Sequence, residues 1–355
     1  MTPMTPMAPM TQRPLLVDLA FHDSPPAIRE SACAAERAGA AGLFVSEAQH
    51  DPFVSLTAAA ATTERLTLGT SVAIAFARTP MSLAYAAHDL QQLSNGRLVL
   101  GLGTQVAAHV TRRYGMPWSR PAARMKEYVA ALRAIWDSWQ NGSKLDFQGD
   151  FYTHTLMAPA FSPGPLEVPH PRIWLAAVGP RMVDVAAEVA DGLVLHPLTS
   201  TSYRDEVVLP AVSQRRASLG LSSPFDLSAM VMVACGETPE AIAEATAVTR
   251  TQIAFYASTP AYLAVLQHHG WEDLHHEAHA VVARKGFFEL AALVDDDVLH
   301  TFAAVGTPDE VADQLRQRHE GAVDRITLTM PFQHVGPGSP ALHVIESLTQ
   351  QGARR

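Results

Sequence analysis

The chain has 355 residues, of which 48% are hydrophobic and 17% charged, and its formal net charge at pH 7 is -9. This composition is typical of a globular protein with a large core, and the negative charge argues against nucleic acid as a partner. No apolar run is long enough to cross a bilayer, and two cysteines are too few for a disulfide framework. We therefore expect a cytoplasmic protein that does not associate with membranes.

The first 12 residues are rich in threonine, proline and methionine, and we expect residues 1–12 to be a disordered tail. After them, short apolar runs alternate with longer helical patterns, as is typical of strand–helix units around a parallel sheet. Two of the intervening helices have strong start signals, a capping box at Thr307 and a threonine–proline–glutamate sequence at Thr238. Eight runs are predicted to be strands, at residues 15–20, 42–46, 66–74, 97–103, 172–177, 192–196, 227–235 and 325–330.

Eight strands that are each followed by a helix predict an α/β fold, a closed (β/α)8 TIM barrel with insertions rather than an open doubly wound sheet. The first strand is not followed by the G-x-G-x-x-G sequence of a dinucleotide-binding fold, which supports the barrel. We expect one domain over residues 13–335, with insertions at 141–171 and 256–304, and a C-terminal segment at 336–355. The second insertion is expected to form a lid or a wall of the active site.

In a TIM barrel the active site lies at the C-terminal ends of the strands. The second predicted strand is followed by Glu47, Gln49 and His50, which bring a carboxylate, an amide and an imidazole to this end of the barrel. Groups of these types suit proton transfer and substrate binding. The alternative interpretation is a solvated loop that leads into the helix beginning at Asp51-Pro52.

The next three strand ends offer small residues and backbone amides. The third strand has Gly69 and Ser71 near its middle, where a flat ring can approach the backbone, and a buried strand with a glycine bulge is the alternative. The fourth strand ends at Gly103 and Thr104, and the fifth runs through residues 176–179 directly into a helix. Helix starts of this kind suit an anion such as phosphate, although tight packing of a strand on a helix explains the same residues.

The second insertion is rich in histidine. Because this segment has no H-E-x-x-H sequence and no carboxylate at a ligand spacing, we predict no metal site and interpret it as a solvated or partner-facing helix. The histidines concerned are His268, His269, His275, His276 and His279.

Taken together, these segments resemble the bacterial luciferase-like superfamily, particularly its branch of oxidoreductases that use the deazaflavin F420. The resemblance extends from about residue 15 to residue 330 and depends on the order and spacing of several motifs. These motifs are Ser46-Glu47 with Asp51-Pro52-Phe53, Thr63-Glu64-Arg65-Leu66, Leu68-Gly69-Thr70-Ser71-Val72, Leu93-Ser94-Asn95-Gly96-Arg97 and Leu100-Gly101-Leu102-Gly103-Thr104.

The resemblance implies a non-prolyl cis peptide, here Ser71-Val72, that lies against the back of the cofactor ring. It also implies that the substrate lies above the ring, near Glu47, Gln49, His50, Trp118 and the second insertion. The residues that it implies as cofactor contacts are Ser71, Val72, Thr104, Gln105, His109, Ala176, Ala177, Val178 and Gly179.

The chain departs from the resembled family at positions that handle protons. Members that oxidise a sugar phosphate with F420 have an acid–histidine pair after the second strand and a glutamate after the fourth, whereas the matching residues here are Glu47, Ala48 and Val106. This argues against sugar-phosphate oxidation. His50, two residues beyond Ala48, is the alternative proton donor, since an imidazole titrates near neutral pH.

The leading hypothesis is an F420-dependent oxidoreductase that transfers a hydride between the deazaflavin and a small organic substrate, by reduction of an activated double bond or carbonyl or by the reverse reaction. The first alternative is an FMN-dependent luciferase-like monooxygenase. The second is a barrel without catalysis that acts as a binding subunit. In each case the expected ligand is a small molecule, and a homodimer is left open.

Overall fold

Eight parallel strands close into a barrel in the computed structural model, which describes residues 14–22, 24–331 and 335–352. The predicted TIM barrel is confirmed: the order around it is β1-β2-β3-β5-β8-β9-β10-β12, and the pairing of β12 with β1 closes it. The barrel strands are β1 (Leu16–Phe21), β2 (Gly42–Val45), β3 (Thr67–Thr70), β5 (Leu98–Gly103), β8 (Arg172–Ala176), β9 (Gly192–Leu195), β10 (Asp226–Cys235) and β12 (Arg325–Thr329). The other strands are β4 (Ala73–Ile74), β6 (Phe147–Gln148), β7 (Thr153–His154) and β11 (Ala303–Gly306).

Helices surround the barrel, and their start signals follow the sequence. Thr307 forms the predicted capping box with Glu310, and the Thr238 side chain accepts a hydrogen bond from the Ala241 amide, so both predicted starts are confirmed. A π-helical turn, Arg204–Val208, lies between two of the helices. The helices are α1 (Ile28–Ala38), α2 (Pro52–Ala60), α3 (Pro80–Leu93), α4 (Ala107–Arg112), α5 (Pro121–Asn141), α6 (Pro180–Val189), α7 (Thr201–Tyr203), α8 (Leu209–Ser218), α9 (Pro239–Ala257), α10 (Leu263–His268), α11 (Glu272–Ala283), α12 (Asp296–Phe302), α13 (Pro308–His319) and α14 (Pro340–Gly352).

Two strand predictions need correction. The single strand predicted at 66–74 is divided into β3 and β4, because the chain turns at the cis peptide Ser71-Val72 and β4 then pairs with the end of β5. The short strand β11 was not predicted, since Ala303–Gly306 is a brief apolar run that directly follows a helix. Met232 pairs with Thr329 of β12 and also with Ala303, so β11 extends the side of β10 on which β9 pairs.

The two long insertions differ in structure. The first contains the hairpin β6–β7, whose turn is held on α5 because the Glu127 carboxylate accepts hydrogen bonds from the amides of Asp150, Phe151 and Tyr152. The second contains α10, α11 and α12 and packs against α9. Beyond β12, α14 packs on α1 and α13. The tail predicted at 1–12 lies outside the described residues.

The strand alternation divides the barrel side chains into an inner and an outer set. Phe44, Val99, Trp174 and Val194 form a cluster of their own inside the barrel, and Ala176 and Met230 pack on it. Near the N-terminal end, Arg325 forms a two-point ion pair with the fully buried Asp18, with Nε–Oδ2 and Nη2–Oδ1 distances of 2.9 and 2.5 Å. The inner positions beyond this cluster therefore form the floor of the site at the C-terminal end.

Among the described residues, no helix combines the length and the apolar character that a membrane crossing requires.

Candidate functional site at the C-terminal end of the barrel

The floor of the barrel mouth is built from small side chains. A methyl group placed on Gly103 would lie 2.6 Å from a Val72 methyl carbon and 4.0 Å from the Ala176 Cβ, so Gly103 lies between these two residues. Val72 and Ala176 are both half-buried. Three residues that the sequence predicts at the cofactor or beside it are therefore adjacent in space, although Val72 comes from the turn between β3 and β4, Gly103 from β5 and Ala176 from β8.

The peptide between Ser71 and Val72 is cis, which confirms the feature that the resemblance implied. The Ser71 carbonyl accepts a hydrogen bond from the Ser46 hydroxyl at 2.7 Å, and the Val72 carbonyl accepts one from the Glu47 amide at 3.3 Å. On the other side, the Ser71 hydroxyl donates to the sulfur of Met230 at 3.3 Å. These contacts connect the turn to the residues that follow β2 and to β10.

Glu47 is held by the protein itself. Its side chain is 7% exposed, one carboxylate oxygen accepts from the Ile74 amide at 2.8 Å, and the other pairs with Arg78 at 2.8 Å. The Tyr114 hydroxyl lies 3.4 Å from the same oxygen, and burial together with this carboxylate raises the pKa of Tyr114. Arg78 also pairs with Asp51, the N-cap of α2, at 2.6 Å. The Glu47 carboxylate thus joins β4 to the start of α2.

The other residues predicted around the substrate lie at the rim. Gln49 and His50 are exposed on the segment between β2 and α2, and the Arg113 side chain donates to the Ala48 carbonyl oxygen nearby. Trp118 is half-buried and meets Phe76 edge to face, with ring centres 5.8 Å apart. Their roles in substrate binding and proton transfer stay predictions.

The residues after β5 and β8 form two further edges of the mouth. Thr104 and Gln105 are half-buried, and Gln105 turns back so that its side-chain oxygen accepts from the Val106 amide at 2.9 Å. His109 lies on α4 and is exposed, whereas the floor residues are buried or half-buried. After β8, Ala177 is buried and Val178 and Gly179 are half-buried.

Gly179 is the N-cap of α6, and the space next to its Cα is open. Arg181 is exposed on the first turn of the same helix. The positive end of a helix and a nearby guanidinium group favour an anion. The small-residue floor and this helix start together fit a flat ring with a phosphate-bearing side chain.

His196, which the sequence did not single out, directly follows β9, and its position at a strand end is the signal that points to it. His196 is two residues beyond Val194, and side chains two apart in a strand point to the same face. Its ring therefore lies on the inner face of the barrel, above the cluster that contains Val194. Its ring stacks on Tyr262 and meets Tyr256 edge to face, with ring centres 4.2 and 4.6 Å away. Both tyrosines come from the end of α9 and the second insertion, which supports the interpretation of that insertion as a wall of the site.

Burial lowers the pKa of His196 to about 3, because the ring packs against Tyr256 and Tyr262 and the charged imidazolium form would lose its hydration there. A histidine in the unfolded chain has a pKa near 6.5. Between pH 6.5 and pH 3, His196 is therefore protonated in the unfolded chain and neutral in the folded chain. The stabilising contribution of neutral His196 is therefore complete above about pH 6.5 and is lost as the pH falls toward 3.

We predict that His196→Gln reduces the acid sensitivity of the fold. Below pH 6.5 the wild type should lose about 1.4 kcal/mol of unfolding free energy per pH unit more than the variant. Urea unfolding of both proteins at pH 7 and pH 5 measures this difference, and all other titrating groups cancel in the comparison. Parallel pH dependences of wild type and variant would contradict it.

The histidines of the second insertion have structural contacts. The Nδ1 of His275 bonds to the Ala257 carbonyl oxygen at 2.7 Å, and that of His279 bonds to the Ser258 carbonyl oxygen at 3.1 Å. Both carbonyls end α9, so these rings connect α11 to that helix end. His275 is buried, which corrects the solvated interpretation at this position. Within the described ranges, no group of three or more His, Cys, Asp or Glu residues is arranged to hold a metal ion.

The fold defines a TIM barrel with small residues at the floor of its mouth, and comparison with known proteins identifies its family. The model of the luciferase-like monooxygenase family matches residues 4–325. The chain therefore belongs to the luciferase-like monooxygenase family and is an oxidoreductase, as the sequence resemblance predicted.

Some of the relatives are uncharacterized proteins, and others are named as reductases. An uncharacterized protein of Mycobacterium tuberculosis is 50% identical over 298 residues, which cover 84% of this chain and 88% of the relative. The 5,10-methylenetetrahydromethanopterin reductase of Methanolobus tindarius is 26% identical over 307 residues, covering 85% and 89%. Among solved structures, the coenzyme F420-dependent tetrahydromethanopterin reductase of Methanopyrus kandleri has the same fold, with a TM-score of 0.75, 19% identity, and coverage of 94% and 98%.

Proposed function

We propose that this protein is an F420-dependent oxidoreductase that reduces an activated double bond or carbonyl of a small organic substrate, or runs the reverse reaction. The observation that supports it best is the floor at Val72, Gly103 and Ala176, where the lack of a side chain on Gly103 leaves room for the Val72 side chain to pack on the end of β5. A relative and a structural neighbour that are named as reductases of the methanopterin type agree with this choice.

In this proposal the cofactor supplies the hydride, and the chain supplies its placement. Val72, Gly103 and Ala176 would support one face of the ring, while Gly179 at the start of α6 and the nearby Arg181 would hold the phosphate. The wall formed by Tyr256 and Tyr262, which packs on His196 at the end of β9, limits the access of water beside Ala176 of the neighbouring strand β8. Glu47 acts through the loop that it holds, since both of its carboxylate oxygens are already bonded within the protein.

The second candidate is an FMN-dependent monooxygenase, which the family description favours because it names monooxygenases. The two candidates differ in a direct measurement. Purified protein is titrated with reduced F420 and with reduced FMN, and oxygen consumption is followed with each. We expect tight binding of F420 without rapid oxygen uptake. Oxygen-consuming turnover with FMN alone would favour the monooxygenase, and binding of neither would favour the barrel without catalysis.

We predict that Ala176→Leu weakens cofactor binding because the larger side chain fills the floor. The dissociation constant for reduced F420 should rise at least about 10-fold, which is 1.4 kcal/mol of binding free energy. The thermal midpoint should change little, since Ala176 is only half-buried. Ala243→Leu, on an exposed position of α9, is the matched control and should bind as the wild type does. Equal affinities of the two variants would contradict this location of the ring.

A further inference from the structure

His196 and Tyr262 form a polar contact at the barrel mouth whose chemical role has not been assigned above. His196 lies on the inner face at the end of β9, and Tyr262 ends the first short turn of the second insertion, Pro260–Tyr262. The Tyr262 hydroxyl is 2.9 Å from His196 Nε2, although the two residues are 66 positions apart in the chain. The contact thus brings a hydroxyl from the insertion to the inner face of the barrel.

The hydrogen-bond directions in this pair follow from the backbone. The Leu198 amide donates to His196 Nδ1 at 3.1 Å, so Nδ1 must carry its lone pair. Burial keeps the imidazole neutral by lowering its pKa to about 3, and a neutral imidazole has a single N–H. That hydrogen is therefore on Nε2, and it is donated to the oxygen of Tyr262.

Because its oxygen accepts from His196, the Tyr262 hydroxyl retains a hydrogen to donate. Within residues 14–22, 24–331 and 335–352 this hydroxyl makes no second hydrogen bond. Burial, with a smaller effect of Tyr256, raises the pKa of Tyr262 well above that of a free phenol, so the group stays protonated. The arrangement holds one O–H donor in a fixed place beside the mouth.

The other proton donors and acids near the mouth are either already hydrogen-bonded within the protein or not held in place. Both oxygens of Glu47 are occupied by Arg78 and the Ile74 amide, and the Tyr114 hydroxyl lies toward the same carboxylate. His50 is exposed at the rim, and none of the described residues fixes its ring. A donor that is held in place by a second group costs less to orient at the moment of reaction than a mobile one.

We propose that Tyr262, positioned by His196, donates a hydrogen bond to the oxygen or nitrogen atom of a carbonyl or imine substrate and supplies the proton that this atom gains. This inference rests on the proposed function. In the reduction that a bound cofactor would supply, the substrate carbon gains the hydride and the electron pair of the double bond moves to the oxygen or nitrogen. The Tyr262 O–H bond breaks as the new O–H or N–H bond forms, and water at the mouth returns a proton to the phenolate.

The test compares Tyr262→Phe with Tyr256→Phe, which removes the hydroxyl of the neighbouring tyrosine. Cyclohexanone, cyclohex-2-en-1-one and a cyclic imine are the acceptor probes, with reduced F420. We expect Tyr262→Phe to lower kcat about 100- to 1,000-fold, in the range of a lost general acid, while the cofactor dissociation constant changes less than about threefold. Tyr256→Phe keeps the aromatic ring of the wall and should lower kcat much less than Tyr262→Phe does, and His50→Gln tests the alternative proton donor.

A second readout does not depend on turnover. In protein with 15N-labelled histidine, His196 is assigned by the loss of its signals in His196→Gln, and we expect a protonated Nε2 and an unprotonated Nδ1. Tyr262→Phe should shift the Nε2–H resonance because its acceptor is removed, and Tyr256→Phe should shift it much less.

The outcomes separate this inference from the proposed function. Wild-type protein that binds neither reduced cofactor, or reduces none of the probes, overturns the proposed reaction even if His196 has the expected tautomer. Normal turnover in the wild type with an unchanged kcat in Tyr262→Phe overturns the role of Tyr262 alone. The same conclusion follows if Tyr256→Phe loses as much activity as Tyr262→Phe, or if His50→Gln alone loses turnover.

Discussion

Replacing Arg325 with methionine is expected to lower the free energy of unfolding by about 3–5 kcal/mol, which is the typical result of leaving one partner of a buried ion pair alone. Arg325 pairs with Asp18 through two hydrogen bonds, and the Asp18 side chain is fully buried inside the barrel. The guanidinium group also lies 5.9 and 6.0 Å from the ring centres of Phe44 and Trp174. Urea unfolding measures the effect.

Two further variants show whether the isolated charge is the cause. In the double variant Asp18→Leu with Arg325→Met no charge remains buried, so at least half of the lost stability should return. Arg133→Met removes an arginine from a pair with Asp191 in which both side chains are more than a third exposed, and it should cost about 1 kcal/mol or less. A double variant as unstable as Arg325→Met would show that steric disruption, not the unpaired carboxylate, dominates.

Replacing Glu47 with glutamine is expected to lower the free energy of unfolding by about 2–3 kcal/mol, because it removes the charge that pairs with a mostly buried guanidinium group. The Arg78 side chain is 17% exposed, and Glu47 also accepts the Ile74 amide. We further expect weaker cofactor binding, since β4 and the turn before it are held by this carboxylate. Urea unfolding and cofactor titration of the same preparation measure both effects.

Asp51→Asn is the matched control for this prediction. Asp51 pairs with the same guanidinium group, but its side chain is 47% exposed, and asparagine is an equally good N-cap for α2. We therefore expect a much smaller loss of stability than in Glu47→Gln. If Glu47→Gln instead abolishes turnover while stability and cofactor affinity remain those of the wild type, Glu47 acts on the substrate, as the sequence suggested.

The barrel itself could be predicted from local sequence patterns. Strands that are buried on both sides appear as apolar runs, and helices with one buried face appear at three- and four-residue spacing, so strand–helix units can be counted without coordinates. The errors occur where a local pattern is ambiguous. Ala303–Gly306 is short and has small side chains, so its sequence cannot be distinguished from the end of a helix. It forms a strand because it pairs with Met232–Cys235 of β10.

The candidate site could be predicted only in part from the sequence. Strand ends could be named, and the motif order implied the cis peptide at Ser71-Val72. Which side chains are free to act depends on partners that are distant in sequence. Glu47 is occupied by Arg78, 31 positions away, and Tyr262 is held by His196, 66 positions away.

The amino-acid sequence by itself therefore determined the eight-stranded barrel, the helix starts at Thr238 and Thr307, and the family, because each of these depends on periodicity or on motifs that are contiguous in the chain. The tertiary structure decided which polar groups of the mouth remain available. Parallel strands bring residues from separate βα units to the same end of the barrel, and the hydrogen bonds made there leave Glu47 bound within the protein and Tyr262 with a hydrogen to donate.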